Sequence, residues 1–270
     1  MTQHVKSNSG LTASAGIGVA APRSPKRVVV LGATSGIALE VQRQLARLGS
    51  ELLLVARSSQ RLAVVQSDLL ARGAKQVLIC AADFANIQCH AGIFDFVRRS
   101  FPDYDTVLLA YGTMRDQQES ETSIDALLGE LNVNYVSAAA ILTLFAADLE
   151  QRRTGCIAAI TSVAGDRGRR ANYVYGSAKG ALSLFLQGLR SRLHAAGVRV
   201  ITIKPGPVQT SMTDDLPNAA RFAEPELVAR DIVGAIERGA PDVLYTPKIW
   251  RYVMTAVEHI PEAIFKRLSF

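Results

Sequence analysis

Three side chains in one short stretch have the types and spacing needed to move a proton. Tyr175 and Lys179 stand four apart in SVAGDRGRRANYVYGSAK, residues 162 to 179, so on a helix they share one face. Ser162 precedes Tyr175 by thirteen residues, at the end of the apolar run Ile157 to Thr161, which reads as a buried strand. A strand end and a facing helix would bring a hydroxyl, a phenol and an ammonium into one cleft. That set suits proton transfer to or from a carbinol oxygen. A free phenol titrates near about 10. A neighbouring ammonium favours the phenolate and is expected to lower that value, towards the operating pH that general acid–base catalysis wants. Ser162 is expected to hydrogen-bond the same substrate oxygen. Taken alone, a Tyr-x-x-x-Lys pair is a weak signal, since that spacing occurs on many solvated helices, so the elements that would position it must decide.

The first such element is Arg27 to Leu31 (RVVVL), a short β-branched run with the look of a buried parallel strand. GATSGIA follows, Gly32 to Ala38, and then an amphipathic stretch to Gly49. In this strand–loop–helix context Gly32 allows a tight turn and Gly36 lets the backbone approach a pyrophosphate. The small Ala38 permits close helix packing, and the helix N-terminus favours an anion. Thr34, Ser35 and Ile37 complete the proposed phosphate loop. Glu51 to Ala56 is a second strand, and after it, where an acidic residue would bind the 2′-hydroxyl of NAD, stands Arg57. A guanidinium cannot accept from a hydroxyl but pairs with a 2′-phosphate, which predicts NADP(H).

Gln60 to Gly73 is helical in pattern, and Gln76 to Ala81 is a third strand ending near Asp83 and Phe84. Asp83 is placed to accept from an adenine amino group or to cap a helix. A helix over 91–99 leads to a fourth strand over 105–110, then Ala110, Tyr111 and Gly112, a small loop beside the expected cofactor ribose. Residues 124 to 150 form a long helical stretch carrying Asn134, which is either a satisfied core amide or part of a proton relay. A sixth strand is expected over 198–203 and a seventh over 243–246. Strands alternating with helices imply βαβ units and a parallel sheet. The expected architecture is therefore α/β, one doubly wound seven-stranded sheet with helices on both faces. Its ligands bind outside the carboxyl ends of the strands, where the glycine loop, Arg57, Asp83, Gly112 and Ser162 all fall.

Composition sets the bounds. The chain has 270 residues with a net charge of +6 and 20% charged side chains, enough length for a large core. No long basic run suggests nucleic-acid binding. Cys80, Cys89 and Cys156 lack zinc-ligand or redox spacing, which fits a reducing, cytoplasmic setting. No apolar stretch reads as a membrane span. Residues 1–25 are rich in Ser, Gly, Ala and Thr, with prolines at 22 and 25, and read as a flexible extension before a reductase domain over 26–270.

GATSGIA, Asn134, Ser162 and YGSAK together resemble the short-chain dehydrogenase/reductase family, over roughly residues 26 to 247. The resemblance implies a Rossmann fold, with Tyr175 as general acid or base and Lys179 holding the nicotinamide ribose and depressing the tyrosine pKa. It implies that Ser162 orients the substrate carbonyl and Asn134 positions a relay water. KPGPV with Thr210 resembles the family's Pro-Gly turn, where Pro205, Gly206, Val208 and Thr210 would meet the carboxamide and pyrophosphate. It also implies a homodimer or homotetramer, paired through the helices bearing Asn134 and Tyr175. Departures exist: Leu31 stands for the usual threonine, Ala38 for the third glycine, and LAYG (Leu109 to Gly112) for Asn-Asn-Ala-Gly. The last leaves that loop without its usual asparagines.

A narrower resemblance, carried by SVAGDRGRRANYVYGSAKGAL and TPKIWRYVMTAVEHIPEAIFKRLSF, is to the decaprenylphosphoryl-2-keto-ribose reductase subfamily. It implies a lipid-linked sugar substrate and a flavin oxidase partner. Arg167, Arg169 and Arg170 flank the proposed cleft, either meeting a substrate phosphate or forming a solvated basic loop. The apolar helical segment 248–270 carries Trp250, Val253, Met254 and Val257 at helical spacing, then Ile264, Phe265 and Leu268. It packs on the body or another subunit, or offers a greasy, basic-edged surface for peripheral membrane contact at the inner face or for a polyprenyl tail. Two other readings stay open: a reductase of another small or hydrophobic ketone, and a non-catalytic NADP(H)-binding protein.

Overall fold

The computed structural model describes residues 27–215 and 218–268; the expected N-terminal extension lies outside them. The first half runs β1 (Arg27–Leu31), α1 (Gly36–Arg47), β2 (Glu51–Ala56), α2 (Ser59–Ala71), β3 (Gln76–Ala81), α3 (His90–Ser100) and β4 (Thr106–Leu109). After it come α4 (Gln117–Thr122), α5 (Ile124–Leu131), α6 (Ala138–Arg152), β5 (Cys156–Ile160) and α7 (Tyr173–His194). The chain closes with β6 (Arg199–Pro205), α8 (Pro225–Arg238), β7 (Val243–Thr246), α9 (Ile249–Glu258) and α10 (Glu262–Phe265).

The seven strands form one all-parallel sheet in the order β3-β2-β1-β4-β5-β6-β7. The expected doubly wound α/β architecture is therefore present. Its strands are continuous apolar runs because both faces are covered. Alternation assigns the faces: Val28 and Val30 of β1 pack with Val41, Leu45, Leu69 and Ile232, under α1, α2 and α8. Val29 and Leu31 pack with Ile93, Val97, Ile141, Phe145, Leu182 and Leu186, under α3, α6 and α7. The order reverses between β1 and β4, which opens a crevice at their carboxyl ends.

The stretch predicted as one helix over 124–150 is continuous but not uniform. A π-helical turn, Asn132–Ser137, joins α5 to α6, and such turns locally widen a helix, often at functional sites. Contrary to the sequence expectation, this helical run, Ile124–Arg152, is long and apolar enough to cross a membrane. Here Ile141, Leu142, Phe145, Ala146 and Leu149 pack it onto the sheet, so its apolar face serves the core.

The C-terminal segment packs partly on the body. Met254 and Phe265 are buried, while Ile249, Tyr252, Val253, Ile264 and Leu268 stay exposed. The Trp250 indole lies against the backbone of Gly206, where no Cβ would fit. Arg167 ties the segment down: its guanidinium donates to the carbonyls of Ile260 at 2.7 Å and Glu258 at 3.2 Å. It also pairs with Glu262 at 3.0 Å and stacks 3.7 Å from the Phe265 ring centroid. Arg167 is thus committed to α9 and α10, not to a substrate phosphate. Arg167→Ala removes charge-assisted bonds of about 1.5–3 kcal/mol each in gross terms, of which a fraction survives solvent competition. It is expected to lower the melting temperature by a few degrees and to speed proteolysis after residue 248; an unchanged cleavage rate would contradict this anchoring.

Candidate active site

The crevice at the strand ends is a cleft of about 400 Å³. Its floor begins at the glycine loop. Gly32 has φ +93° and approaches Tyr111 so closely that a Cβ would lie 2.5 Å from the Tyr111 nitrogen, so only glycine fits. The Ser35 hydroxyl caps α1 by accepting from the Ala38 N–H at 3.4 Å. Buried Gln42 donates to the Ala33 and Ala38 carbonyls at 2.7 and 2.8 Å, which fixes the loop to the first turn of its own helix. Gly36 leaves room chiefly for Thr210, whose methyl would lie 2.8 Å from an added Cβ. The turn after β6 therefore closes over the glycine loop.

Ser162 and Tyr175 meet because backbone touches backbone. A short 3-10 turn, Val163–Gly165, follows Ser162 and rests on α7 through three glycines. A Cβ on Gly165 would lie 2.5 Å from the Gly180 nitrogen, one on Gly176 2.7 Å from the Ala164 carbonyl, and one on Gly180 2.8 Å from the Gly165 carbonyl. This contact carries Ser162 towards the Tyr175 phenol, whose ionisation it favours. One turn further along α7, the Lys179 ammonium donates to the Ile160 carbonyl at 3.3 Å and lies 5.8 Å from the Tyr175 ring centroid.

The titration behaviour corrects the sequence expectation. Burial pushes the Tyr175 phenol up to about 12, against the opposing pull of Ser162 and with a further push from the Glu130 carboxylate. Burial likewise pulls Lys179 down to about 8, opposed by Glu130. Desolvation dominates both shifts, because both groups leave water together. The lysine does not touch the phenol oxygen directly; it is anchored on β5.

Asn134 stands apart from the other predicted residues: it is buried behind the cleft wall rather than lining it. Its Nδ2 donates to the Thr113 carbonyl at 2.9 Å and to Glu130 Oε1 at 2.9 Å, and its Oδ1 accepts from the Thr113 N–H at 3.1 Å. The amide is thus fully occupied. A Cβ on Gly112 would sit 2.6 Å from Asn134 Oδ1 and 3.1 Å from Lys179 Nζ, so these two polar groups converge on one glycine. Glu130, which the sequence reading missed, is 1% exposed. Burial raises its carboxyl pKa, offset by hydrogen bonds from Thr113 and Arg115 and by the Lys179 charge. The available signal was its place four residues before Asn134, one helical turn away.

Every other predicted residue lines the cleft: Gly32, Thr34, Ser35, Gly36, Ile37, Arg57, Asp83, Phe84, Ala110, Gly112, Ser162, Tyr175, Lys179, Pro205, Gly206, Val208 and Thr210. Phe84 stacks on Tyr111 with centroids 4.1 Å apart. Asp83 caps its own turn, accepting from the Ala85 N–H at 3.1 Å. Arg61, also missed, lines the cleft beside Arg57 and donates to the Thr34 carbonyl at 3.4 Å. At the opposite end, Arg169 and Asn172 line the cleft with buried polar atoms, Nε and Oδ1, that have no hydrogen-bond partner. Arg170 is exposed, and Lys204 is held by Asp166 and lies 3.5 Å from the Tyr245 hydroxyl. Of the three flanking arginines, then, Arg169 alone turns into the cleft.

Comparison with known proteins gives a consistent picture. Residues 26–221 match the short chain dehydrogenase family. The chain is 33% identical over 241 residues to an uncharacterized oxidoreductase of Mycobacterium tuberculosis, covering 89% of this chain and 96% of that one. Its fold is similar to a short chain dehydrogenase from Burkholderia cenocepacia in complex with NADP, with a TM-score of 0.76, 20% identity, and 91% and 98% of the two chains covered. It is also similar to an L-sorbose reductase from Gluconobacter frateurii complexed with NADPH and L-sorbose, with a TM-score of 0.73, 23% identity, and 82% and 94% covered.

The two displaced titrations give stability a pH dependence. Lys179 titrates at about 8 folded against 10.5 ordinarily, so between these values the unfolded chain binds more protons and stability rises with pH. The gain is on the order of 3 kcal/mol at most. Above about 10 the raised phenol of Tyr175 reverses the trend. Urea midpoints measured from about pH 7.5 to 9.5 should therefore rise more in the wild type than in Lys179→Met; parallel curves would show that the ammonium is not desolvated.

Proposed function

We propose, from the premise that this chain belongs to the short chain dehydrogenase family and is an NAD(P)-dependent oxidoreductase, that it is an NADPH-dependent reductase of ketones. The observation that carries the reading is the Ser162–Tyr175–Lys179 set lining the same cleft of about 400 Å³ as the glycine loop. The residues present fit NADP(H). Gly32, Ser35, Gly36 and the first turn of α1 form a cradle for a pyrophosphate, with Thr210 closing over it. Arg57 and Arg61 put two cations at the end of β2, where a 2′-phosphate pairs with guanidinium and a 2′-hydroxyl would want a carboxylate. Asp83 and Phe84 border the adenine side; Pro205, Gly206 and Val208 border the nicotinamide side.

The bound cofactor supplies the hydride. The chain's own residues supply the rest. Ser162, fixed by the turn on α7, holds the substrate carbonyl oxygen by hydrogen bonding. Tyr175 donates its proton to that oxygen as charge develops, and a phenol raised to about 12 stays protonated at neutral pH. The Lys179 ammonium provides a positive charge below the phenol that stabilises the phenolate left behind. Asn134 holds the wall beside Lys179; a relay water at its π-helical turn is part of this reading. Exposed Leu128, Val136 and Leu184 on α5 to α7 support pairing into a homodimer or homotetramer through these helices.

The substrate read here is the 2-keto group of a polyprenyl-phosphate-linked pentose, the second step of an epimerisation that yields an arabinofuranose donor and that a flavin oxidase would precede. Two features support it. Arg169 offers a guanidinium whose buried Nε has no hydrogen-bond partner at the substrate end, and the exposed apolar residues of α9 and α10 suit a lipid tail at the inner membrane face. The ketose bound by the sorbose reductase of similar fold favours a sugar ketone.

NADPH oxidation against a panel of ketones tests both levels. The wild type should use NADPH in preference to NADH, and Tyr175→Phe should lose about 10²–10⁴-fold in turnover while keeping NADPH affinity; retained turnover would end the reductase reading. Arg169→Ala should raise KM about tenfold or more for a phosphorylated ketosugar and leave a neutral ketone unaffected. Equal effects on both would remove the phosphate from the substrate.

A further inference from the structure

The loop after β4 presents an unanswered problem. Residues 110–114 wall the cleft beside Lys179, yet LAYG brings no side-chain amide of its own to hold them. The structure supplies the anchor from α5. Glu130 Oε2 accepts from the Thr113 hydroxyl at 2.9 Å and from the Arg115 N–H at 3.3 Å, while Oε1 accepts from Asn134 Nδ2 at 2.9 Å. Asn134 then returns to the Thr113 N–H. One buried carboxylate and one buried amide thus clamp the loop on both sides.

We propose that Glu130 is a positioning residue for the reaction: it fixes the 112–114 wall through Thr113, Asn134 and the following Arg115 N–H, and it supplies the negative charge that faces the Lys179 ammonium. The argument is geometric first. Asn134 Oδ1 and Lys179 Nζ both crowd Gly112, and Asn134 is bonded directly to Glu130. Only a glycine and an amide therefore separate carboxylate from ammonium. Electrostatics agrees: each group offsets the desolvation of the other. The charged groups facing Glu130 are Lys179 on α7 and Arg115 on the loop, with Tyr175 on α7 as the neighbouring titratable phenol. Arg115 is the larger counter-charge to Glu130 and Lys179 the second; Arg115 is also paired with Glu119 of α4 at 3.8 Å, whereas Glu130 is the charge that opposes desolvation at Lys179.

The consequence is specific. Without the carboxylate, burial is unopposed and Lys179 loses its proton at lower pH. The same removal relieves Tyr175 of a repelling charge, so the phenol also ionises at lower pH. Both changes act on the alkaline side, where reduction fails for want of a proton on Tyr175 or a charge on Lys179.

This inference rests on the reductase reading, and the experiment separates the two. Reduction of a ketone accepted by the wild type is followed by kcat/KM across pH for Glu130→Gln, Glu130→Asp and Thr113→Val, with Tyr175→Phe alongside. Glu130→Gln is expected to move the alkaline limb down by about one pH unit, a loss of about twofold at its new midpoint that grows to about tenfold above the wild-type midpoint, with little change on the acid side. Glu130→Asp, which keeps the charge, should restore most of the limb. Thr113→Val should raise KM for NADPH about threefold or more without moving the limb, because the wall loosens while the carboxylate remains. An unmoved limb in Glu130→Gln, or a limb moved equally by Thr113→Val, would overturn the proposal. If Tyr175→Phe keeps its turnover, the failure lies with the reductase reading instead.

Discussion

A lysine ammonium held out of water is the constraint around which this molecule is arranged. Lys179 is 3% exposed, and a charge so placed is tolerated only with close polar partners. The partners come from three separate parts of the chain: the Ile160 carbonyl at the end of β5, the carboxylate of Glu130 on α5, and the narrow gap left by Gly112 after β4. Each requires its strand or helix to stop where it does. The end of β5 carries Ser162 next, and α7 carries Tyr175 one turn earlier. Satisfying the lysine therefore also assembles the proton-transfer set.

Close backbone approach is the second device, and glycine makes it possible. The contacts of Gly165 with Gly180 and of Ala164 with Gly176 bring a turn onto α7 with no side chain between them. Gly32 against the Tyr111 backbone repeats the device, while Gly36 and Gly206 instead make room for the side chains of Thr210 and Trp250. The last connects the site to the C-terminal helices, which Arg167 anchors from the same loop that bears Arg169. Two neighbouring arginines thus have opposite duties, one inside the fold and one in the cleft.

Some of this was legible in the chain itself. The strands of the sheet are apolar runs between glycine-rich turns, and the glycine loop sits between a strand and a helix, so local pattern was enough for the fold. Tyr175 and Lys179 share a face by helical periodicity alone. Arg57 announced itself by standing where an acid would serve NAD. The misses have physical causes. Arg61 and Glu130 look like ordinary helix charges, and only packing shows that one reaches the cleft and the other is buried. The π-helical turn at Asn134 leaves no mark in the apolar pattern, since a single widened turn shifts few positions.

The sequence by itself determined the parallel sheet, the glycine loop and the spacing of the reactive trio, because these depend on residues close together along the chain. Tertiary structure alone decided which of Arg167, Arg169 and Arg170 enters the cleft and what balances Lys179. It also decided that burial, and not the neighbouring ammonium, governs the Tyr175 phenol. Those outcomes depend on desolvation and on charges contributed by segments far apart in sequence, which meet only once the chain has folded.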